Sequence, residues 1–224
     1  MRVVISIGGS LLTKELAYEH FSRYADVIKE LAKRHDIVVV CGGGKTAREF
    51  RDIAKNASRE ERDFIGIMAT HMNAATLASV IGKDAYLIKW KPLKDALKEL
   101  KKMFGKKIIV AGGYDVGTST DYDAAIFAKI IEADLVINAT NVDGVYSDDP
   151  KKNPNAEKFD NLTHEKFMKI IGKLEQTPGE YRLFDLKGAK LLKEIKAKLV
   201  IIDGSNTEEI IEAVKGFHKG TTIE

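Results

Sequence analysis

Residues 110 to 121 read VAGGYDVGTSTD. The apolar run in front of them, Lys107-Ile108-Ile109-Val110-Ala111, predicts a buried strand, and Asp123 to Glu132 behind them has helical spacing. Between the two lie Gly112, Gly113 and a cluster of Ser and Thr. A strand, a glycine turn and a helix start together make a good anion site. Glycine lets the backbone come close to a phosphate, and the first N–H groups of the helix point at it. Thr118, Ser119, Thr120 and Asp121 either cap that helix or bind a ligand, and the stretch alone leaves both readings open.

The same pattern occurs twice upstream. Arg2 to Ile7 (RVVISI) is an apolar, β-branched run that empties into Gly8-Gly9-Ser10, and Ile37 to Cys41 (IVVVC) empties into Gly42-Gly43-Gly44. Helical spacing follows each, over 15–34 with Leu16, Phe21, Tyr24, Ile28 and Leu31, and over 60–81 with Phe64, Ile67, Met68, Leu77 and Ile81. Further on, Ala85 to Lys89 and Leu135 to Ala139 read as strands, the latter ending in Thr140-Asn141. A helix is expected near 93–104. Residues 141–161 are polar, carry Gly144, Pro150 and Pro154, and predict an irregular excursion or hairpin. Helices near 163–172 and 186–196 flank a loop around Gln176 to Tyr181. Leu199 to Asp203 is a late strand, with a helix over 207–217. Strands alternating with helices of this length predict an α/β fold, a three-layer αβα sandwich with a mainly parallel central sheet. Ligands of such sheets gather at the carboxyl ends of the strands, where the three glycine turns and Thr140-Asn141 would all fall and surround a polyanion.

Composition narrows the class. The 224 residues are 44% hydrophobic and 31% charged with a net charge of +3, which describes one globular core and argues against nucleic acid as a partner. Cys41 is the single cysteine, so internal disulfides are excluded. No apolar run approaching a span and no leader before the first strand is read, so a cytoplasmic protein without a membrane partner is expected. The P-loop pattern, the G-x-G-x-x-G fingerprint, zinc spacing and the G-x-S-x-G elbow are all missing from the sequence. Phosphoryl transfer, which needs positioning and positive charge more than a nucleophile, is the chemistry that the glycine turns suit.

At this point the motifs carry a family likeness. GGS at 8–10, GGGKTAR at 42–48, DFIGIMATHMNAATLA at 63–78, GGYDVGTSTD at 112–121, TNVDGVYSDDPKKNP at 140–154 and the terminal GTTIE resemble the amino-acid kinase superfamily, and within it the archaeal branch of uridylate (UMP) kinases. The resemblance runs in order along the whole chain. It implies one amino-acid kinase domain over 1–224, with a lobe of about 1–133 for UMP and a lobe of about 134–224 for ATP. It also implies transfer of the ATP γ-phosphoryl group to UMP with Mg2+, a homohexamer built from dimers, and feedback inhibition by UTP. By position, Gly9, Ser10, Gly44, Arg48, Thr140, Asn141, Tyr146 and Asp149 would bind ATP. Gly43, Asp63, Tyr114, Asp115, Val116, Gly117, Thr118, Ser119 and Thr120 would bind UMP, and Asp185 would organise the phosphate-binding groups. No metal ligand is assigned.

The chain departs from the family pattern in two places. Many superfamily members carry a lysine in the first strand, where this chain has Ser6. A cation is still needed at the transferred phosphoryl, and Lys45 and Arg48 are the first candidates, with Lys14 and Lys187 behind them. Val116 and Thr118 stand where relatives often show Pro and His. Two other readings accompany the UMP kinase one. A sibling enzyme such as an isopentenyl phosphate kinase would use a histidine near the acceptor phosphate, and His71 is the candidate; a non-catalytic nucleotide-binding module is the other.

Overall fold

The computed structural model describes residues 1–173 and 183–224, so the loop expected around Gln176 to Tyr181 lies outside the described residues. The order of elements begins β1 (Arg2–Ile7), α1 (Gly9–Leu12), α2 (Tyr18–Ala32), β2 (Asp36–Cys41), α3 (Gly44–Ile53), α4 (Arg59–Ile81) and β3 (Ala85–Ile88). It continues with α5 (Leu93–Met103), β4 (Ile108–Ala111), α6 (Thr120–Ile131), β5 (Leu135–Thr140), β6 (Val145–Tyr146), β7 (Lys158–Phe159) and β8 (Asn161–Leu162). Last come α7 (His164–Ile171), α8 (Leu186–Glu194), β9 (Lys198–Asp203), α9 (Glu208–Lys215) and β10 (Thr221–Ile223).

Eight strands form one sheet in the order β3-β4-β2-β1-β5-β9-β10-β8. All pairings are parallel except β10 against β9. The central strands read as unbroken Val/Ile runs because both faces of a parallel sheet are covered. Alternation along them splits the core in two. Val4, Val38, Val40, Ile109 and Val136 face Phe127 of α6, Phe167 of α7 and Leu192 of α8. Val3, Ile5, Val39, Val110 and Ile137 face Phe21 and Ile28 of α2, Leu77 of α4 and Ile210 of α9. These are the three layers expected. Each fully buried aliphatic side chain contributes about 2 kcal/mol through burial.

Three local expectations change. The helix expected over 15–34 begins later, at Tyr18, because Ala17 is extended at φ −132°, ψ 151°; Leu16 falls outside it and is 77% exposed. Phe64 is not on the buried face of α4 but stacks edge-on against Trp90, ring centroids 5.2 Å apart. Finally, α4 is itself long and apolar enough to cross a membrane by length and composition alone. It meets that test because Ala, Met and Ile recur along it. In the fold it opens with a Ser58–Glu61 capping box and buries Ile67, Thr70, Asn73, Leu77 and Ile81 as one face. The polar excursion expected over 141–161 is tied down at long range: the Val145 N–H donates to Thr221 Oγ1 (2.8 Å), bringing the terminal strand to its base.

Candidate active site

The first two glycine turns interlock at the carboxyl edge of the sheet. A Cβ on Gly9 would fall 2.1 Å from the Gly44 nitrogen, and one on Gly44, whose φ is +63°, would fall 2.1 Å from the Gly9 oxygen. A Cβ on Gly42 would meet the Gly9 nitrogen at 2.4 Å, so the two main chains touch with no room for side chains. Thr13 Oγ1 donates to the Gly9 carbonyl (2.8 Å) and accepts the Lys45 N–H (2.9 Å), and Asn73 Nδ2 donates to the Gly42 carbonyl (2.7 Å). The ends of β1 and β2 thus become one platform.

The third turn is held differently. Thr70 Oγ1 accepts the Gly113 N–H (2.7 Å) while donating to the Ile67 carbonyl (2.6 Å), and a Cβ on Gly112 would sit 2.5 Å from that oxygen. His71 Nε2 lies 2.8 Å from the Gly113 carbonyl, so this nitrogen carries the proton and donates. Burial lowers the His71 pKa, which keeps the ring neutral. Beyond the turn, the Asp115 carbonyl accepts both the N–H and the hydroxyl of Thr118, at 3.2 and 2.6 Å. Ser119 is the N-cap of α6, its Oγ accepting the Tyr122 N–H (3.3 Å). The N-terminus of α6 therefore points into the space beside the glycine platform.

That space is a cleft of about 440 Å³. It gathers Gly8, Gly9, Ser10, Gly42, Gly43, Gly44, Arg48, Asp63, Gly113, Asp115, Gly117, Thr118, Ser119, Thr120, Thr140 and Asp185. Asp185 is the N-cap of α8, its Oδ1 accepting the Gly188 N–H (3.0 Å), and it lines the cleft as well, so its capping and site readings describe one side chain. Buried Ser6 donates to Asp121 Oδ1 at 3.3 Å. Where the family pattern has a strand lysine, this chain has a hydroxyl tied to a carboxylate. Together, a main-chain platform, a helix N-terminus and Arg48 form a cleft suited to anions.

Residues 1–203 match the model of the Amino acid kinase family. The chain belongs to that family. It is 40% identical over 216 residues to the uridylate kinase of Methanococcoides burtonii, covering 96% of this chain and 91% of the other. The uridylate kinase of Archaeoglobus fulgidus is 39% identical over 225 residues, covering both chains fully. A crystal structure of uridylate kinase from Archaeoglobus fulgidus superposes with a TM-score of 0.88 at 40% identity, over 100% of each chain. That of UMP kinase from Ureaplasma parvum gives 0.79 at 22% identity, over 100% of this chain and 98% of that one, a likeness of fold alone.

Several residues that the family likeness pointed to are not brought to the cleft. Lys45 sends its ammonium to Glu49 (3.5 Å), one turn along exposed α3, because the Gly44–Lys45 backbone is fixed by Thr13. The Tyr114 side chain turns into the core: its hydroxyl donates to the Ile88 carbonyl (3.1 Å) and its ring packs against Phe127. Val116 lies on the outer side of the loop at 46% exposure. Asn141, Tyr146 and Asp149 lie in the excursion beyond the rim. The Tyr146 hydroxyl donates to Asp143 (2.9 Å), and the buried Asp149 carboxylate accepts the Lys151 N–H (2.9 Å) as a turn carboxylate does.

Other residues line the cleft without having been singled out. Arg51 and Arg59 do so, and Arg51 Nη2 pairs with Asp63 Oδ1 at 3.0 Å. Arg51 lies three residues after Arg48, and Asp63 four after Arg59, spacings that share a helix face; that periodicity was the available signal. Asn138 lines the cleft too, donating to the Leu183 carbonyl (2.7 Å). Asp123 is the fourth, a carboxyl that apolar spacing alone had made part of a helix.

Proposed function

We propose that this protein is a UMP kinase that transfers the γ-phosphoryl group of ATP to UMP, giving UDP and ADP for pyrimidine nucleotide biosynthesis. The observation that carries the reading is the cleft itself, with two main-chain phosphate cradles facing one helix N-terminus at the edge of an amino acid kinase fold. Relatives that this chain matches over 91% and 100% of their own length are uridylate kinases.

In this reading an oxygen of the UMP phosphate attacks the γ-phosphorus. One P–O bond forms, the P–O bond to the β-phosphate oxygen breaks, and the electron pair leaves with ADP. The nucleophile is already anionic, so no base is required. Gly9, Ser10 and Gly44 present backbone to the ATP phosphates, with Thr140 at the same edge. Gly43, Asp63, Gly113 and residues 115–120 surround UMP. Thr120 and Asp121 lie where the two meet. Arg48 and Arg51 replace Lys45 as the cations that neutralise charge on the transferred group, since both reach the cleft. The residue ranges of about 1–133 and 134–224 serve as acceptor and donor lobes, with Gly9, Ser10 and Gly44 of the first reaching the donor phosphates at their junction.

Mg2+ is the companion proposed for ATP. Among the described residues no group of three His, Cys, Asp or Glu side chains is placed to hold a metal. The donor set therefore suits an ion that keeps its waters and is held mainly by substrate phosphates, as Mg2+ is. Bound so, it would offset charge on the β- and γ-phosphates. A homohexamer in the cytoplasm completes the proposal. Exposed Phe50, Ile53, Phe64, Met72 and Trp90 on and beside α3 and α4 support an oligomer.

The histidine of the isopentenyl phosphate reading is otherwise engaged: His71 donates to Gly113 and is not a cleft-lining group. A coupled assay of ADP release with UMP, CMP, dCMP and isopentenyl phosphate as acceptors tests the function. UMP should be preferred by at least an order of magnitude in kcat/KM, and equal or better turnover of another acceptor overturns it.

A further inference from the structure

Asp123 is 1% exposed, yet it is one of the residues around the cleft. Its carboxyl faces the third glycine turn from below. One oxygen accepts the backbone N–H of Tyr114, and Oδ2 lies 3.3 Å from where a Cβ on Gly113 would be. Oδ1 is buried and has no hydrogen-bond partner among the described residues. A buried carboxylate with one acceptor site unused is costly, whereas a carboxylic acid in the same place is not.

The surrounding charges act in the same direction. Asp115 of the loop, Asp121 of α6 and Asp185 at the start of α8 all act on Asp123 as like charges. From α4, Thr70 approaches the same Gly113 position, its Oγ1 3.7 Å from where the Cβ would be, and β5 brings the uncharged Asn138 to the cleft. Tyr114 has its own hydroxyl raised by burial and keeps its proton. Among the described residues, the charges that act on Asp123 most strongly are these carboxylates. Burial first, and these carboxylates second, push its pKa up to about 8, against which the Tyr114 N–H works.

We infer that Asp123 is a positioning residue for the acceptor nucleotide, holding the Gly113–Tyr114 turn as a neutral carboxylic acid, and that acceptor binding is lost when it ionises. The inference rests on the reading of this loop as the UMP side. A dianionic phosphate brought to the N-terminus of α6 adds charge of the same sign a few ångströms from Asp123, so the nucleotide and the Asp123 carboxylate exclude one another. Acceptor binding at alkaline pH then takes up a proton.

Calorimetric titration of the full chain with UMP at pH 7, 8 and 9 tests this, with Asp123→Asn beside the wild type. The UMP phosphate is already a dianion across this range, its second ionisation lying near pH 6. For a group titrating at about 8, wild-type affinity should fall about tenfold from pH 7 to pH 9. In Asp123→Asn, whose amide cannot ionise, the change should be less than about twofold whatever its affinity at pH 7. A flat wild-type profile, or an equal fall in the variant, overturns the inference. Should the variant not fold, wild-type titrations at pH 8.5 in two buffers of different ionisation heat decide: uptake of roughly half a proton or more supports it, and no uptake overturns it. Failure of UMP to bind at pH 7 would instead overturn the UMP reading itself.

Discussion

The two sides of the cleft are built by different means. On the side proposed for the donor, Gly9, Gly42 and Gly44 are held by main chain against main chain, with no space for a single Cβ between them. On the side proposed for the acceptor, the Gly113–Tyr114 turn hangs from side chains, namely the Thr70 hydroxyl and His71 ring on Gly113 and the carboxyl of Asp123 on the Tyr114 N–H. The donor cradle is therefore fixed once the central strands pair. The acceptor turn is set by groups that can be exchanged or titrated one at a time, which is where tuning of substrate choice is physically available.

The contrast can be tested by substitution. Gly44→Ala should have the largest effect, because it adds both a close contact with the Gly9 carbonyl and a left-handed backbone strain; a loss of about 3 kcal/mol or more in denaturant unfolding is expected, with activity abolished. A fully active, stable variant would break the contrast. Thr70→Val keeps the shape and removes both hydrogen bonds of the hydroxyl, so about 1–3 kcal/mol of stability should be lost. Its KM for UMP should rise more than its KM for ATP, and equal rises would show that the turns are not independent.

Stability against pH comes next. The Asp123 pKa in the folded chain, about 8, lies above its ordinary 3.8. The folded state thus binds more protons than the unfolded one between those values, and stability falls as pH rises through that window. Between pH 7 and 9 the loss from Asp123 should be about 1.4 kcal/mol, absent in Asp123→Asn. His71, His164 and His218, whose pKa values burial lowers, act only on the acid side, where stability falls as pH drops below their ordinary 6.5. Smallest is Lys45→Ala: with its ammonium paired to Glu49 outside the cleft, kcat should stay within about twofold, against a loss of 100-fold or so for a direct transition-state donor.

Much of this molecule is legible from local signals. A Val/Ile run followed by glycines marks three of the strands that end at the cleft, β1, β2 and β4, and the alternation with helices sets the layers. What escaped is set at a distance. Whether Tyr114 faces ligand or core depends on Ile88 and Phe127, residues outside its own loop. The reach of Lys45 depends on Thr13, 32 positions earlier. The terminal Thr221-Thr222-Ile223 carries little strand signal of its own. It becomes β10 because it runs antiparallel to β9 and because Thr221 receives the Val145 N–H. Asp123 shows the limit in another form. Spacing places it on a helix, but only the surrounding fold determines that its charge is unwelcome there.

The interlocked glycines carry a consequence for how the protein opens. Gly8 donates to the Ala139 carbonyl, Gly42 to that of Ile7 and Gly204 to that of Thr140, each at 2.8–2.9 Å and each joining neighbouring strands of the sheet's centre. Releasing each amide requires a pair of central strands to part: β1 from β5 for Gly8, β2 from β1 for Gly42 and β9 from β5 for Gly204. Their exchange with deuterated solvent should run at the rate of global unfolding, while the amides of residues 115–119 exchange through small local openings. The donor cradle then comes into being with the sheet and disappears with it, so a bound ATP would slow the unravelling of the whole chain and not of a loop.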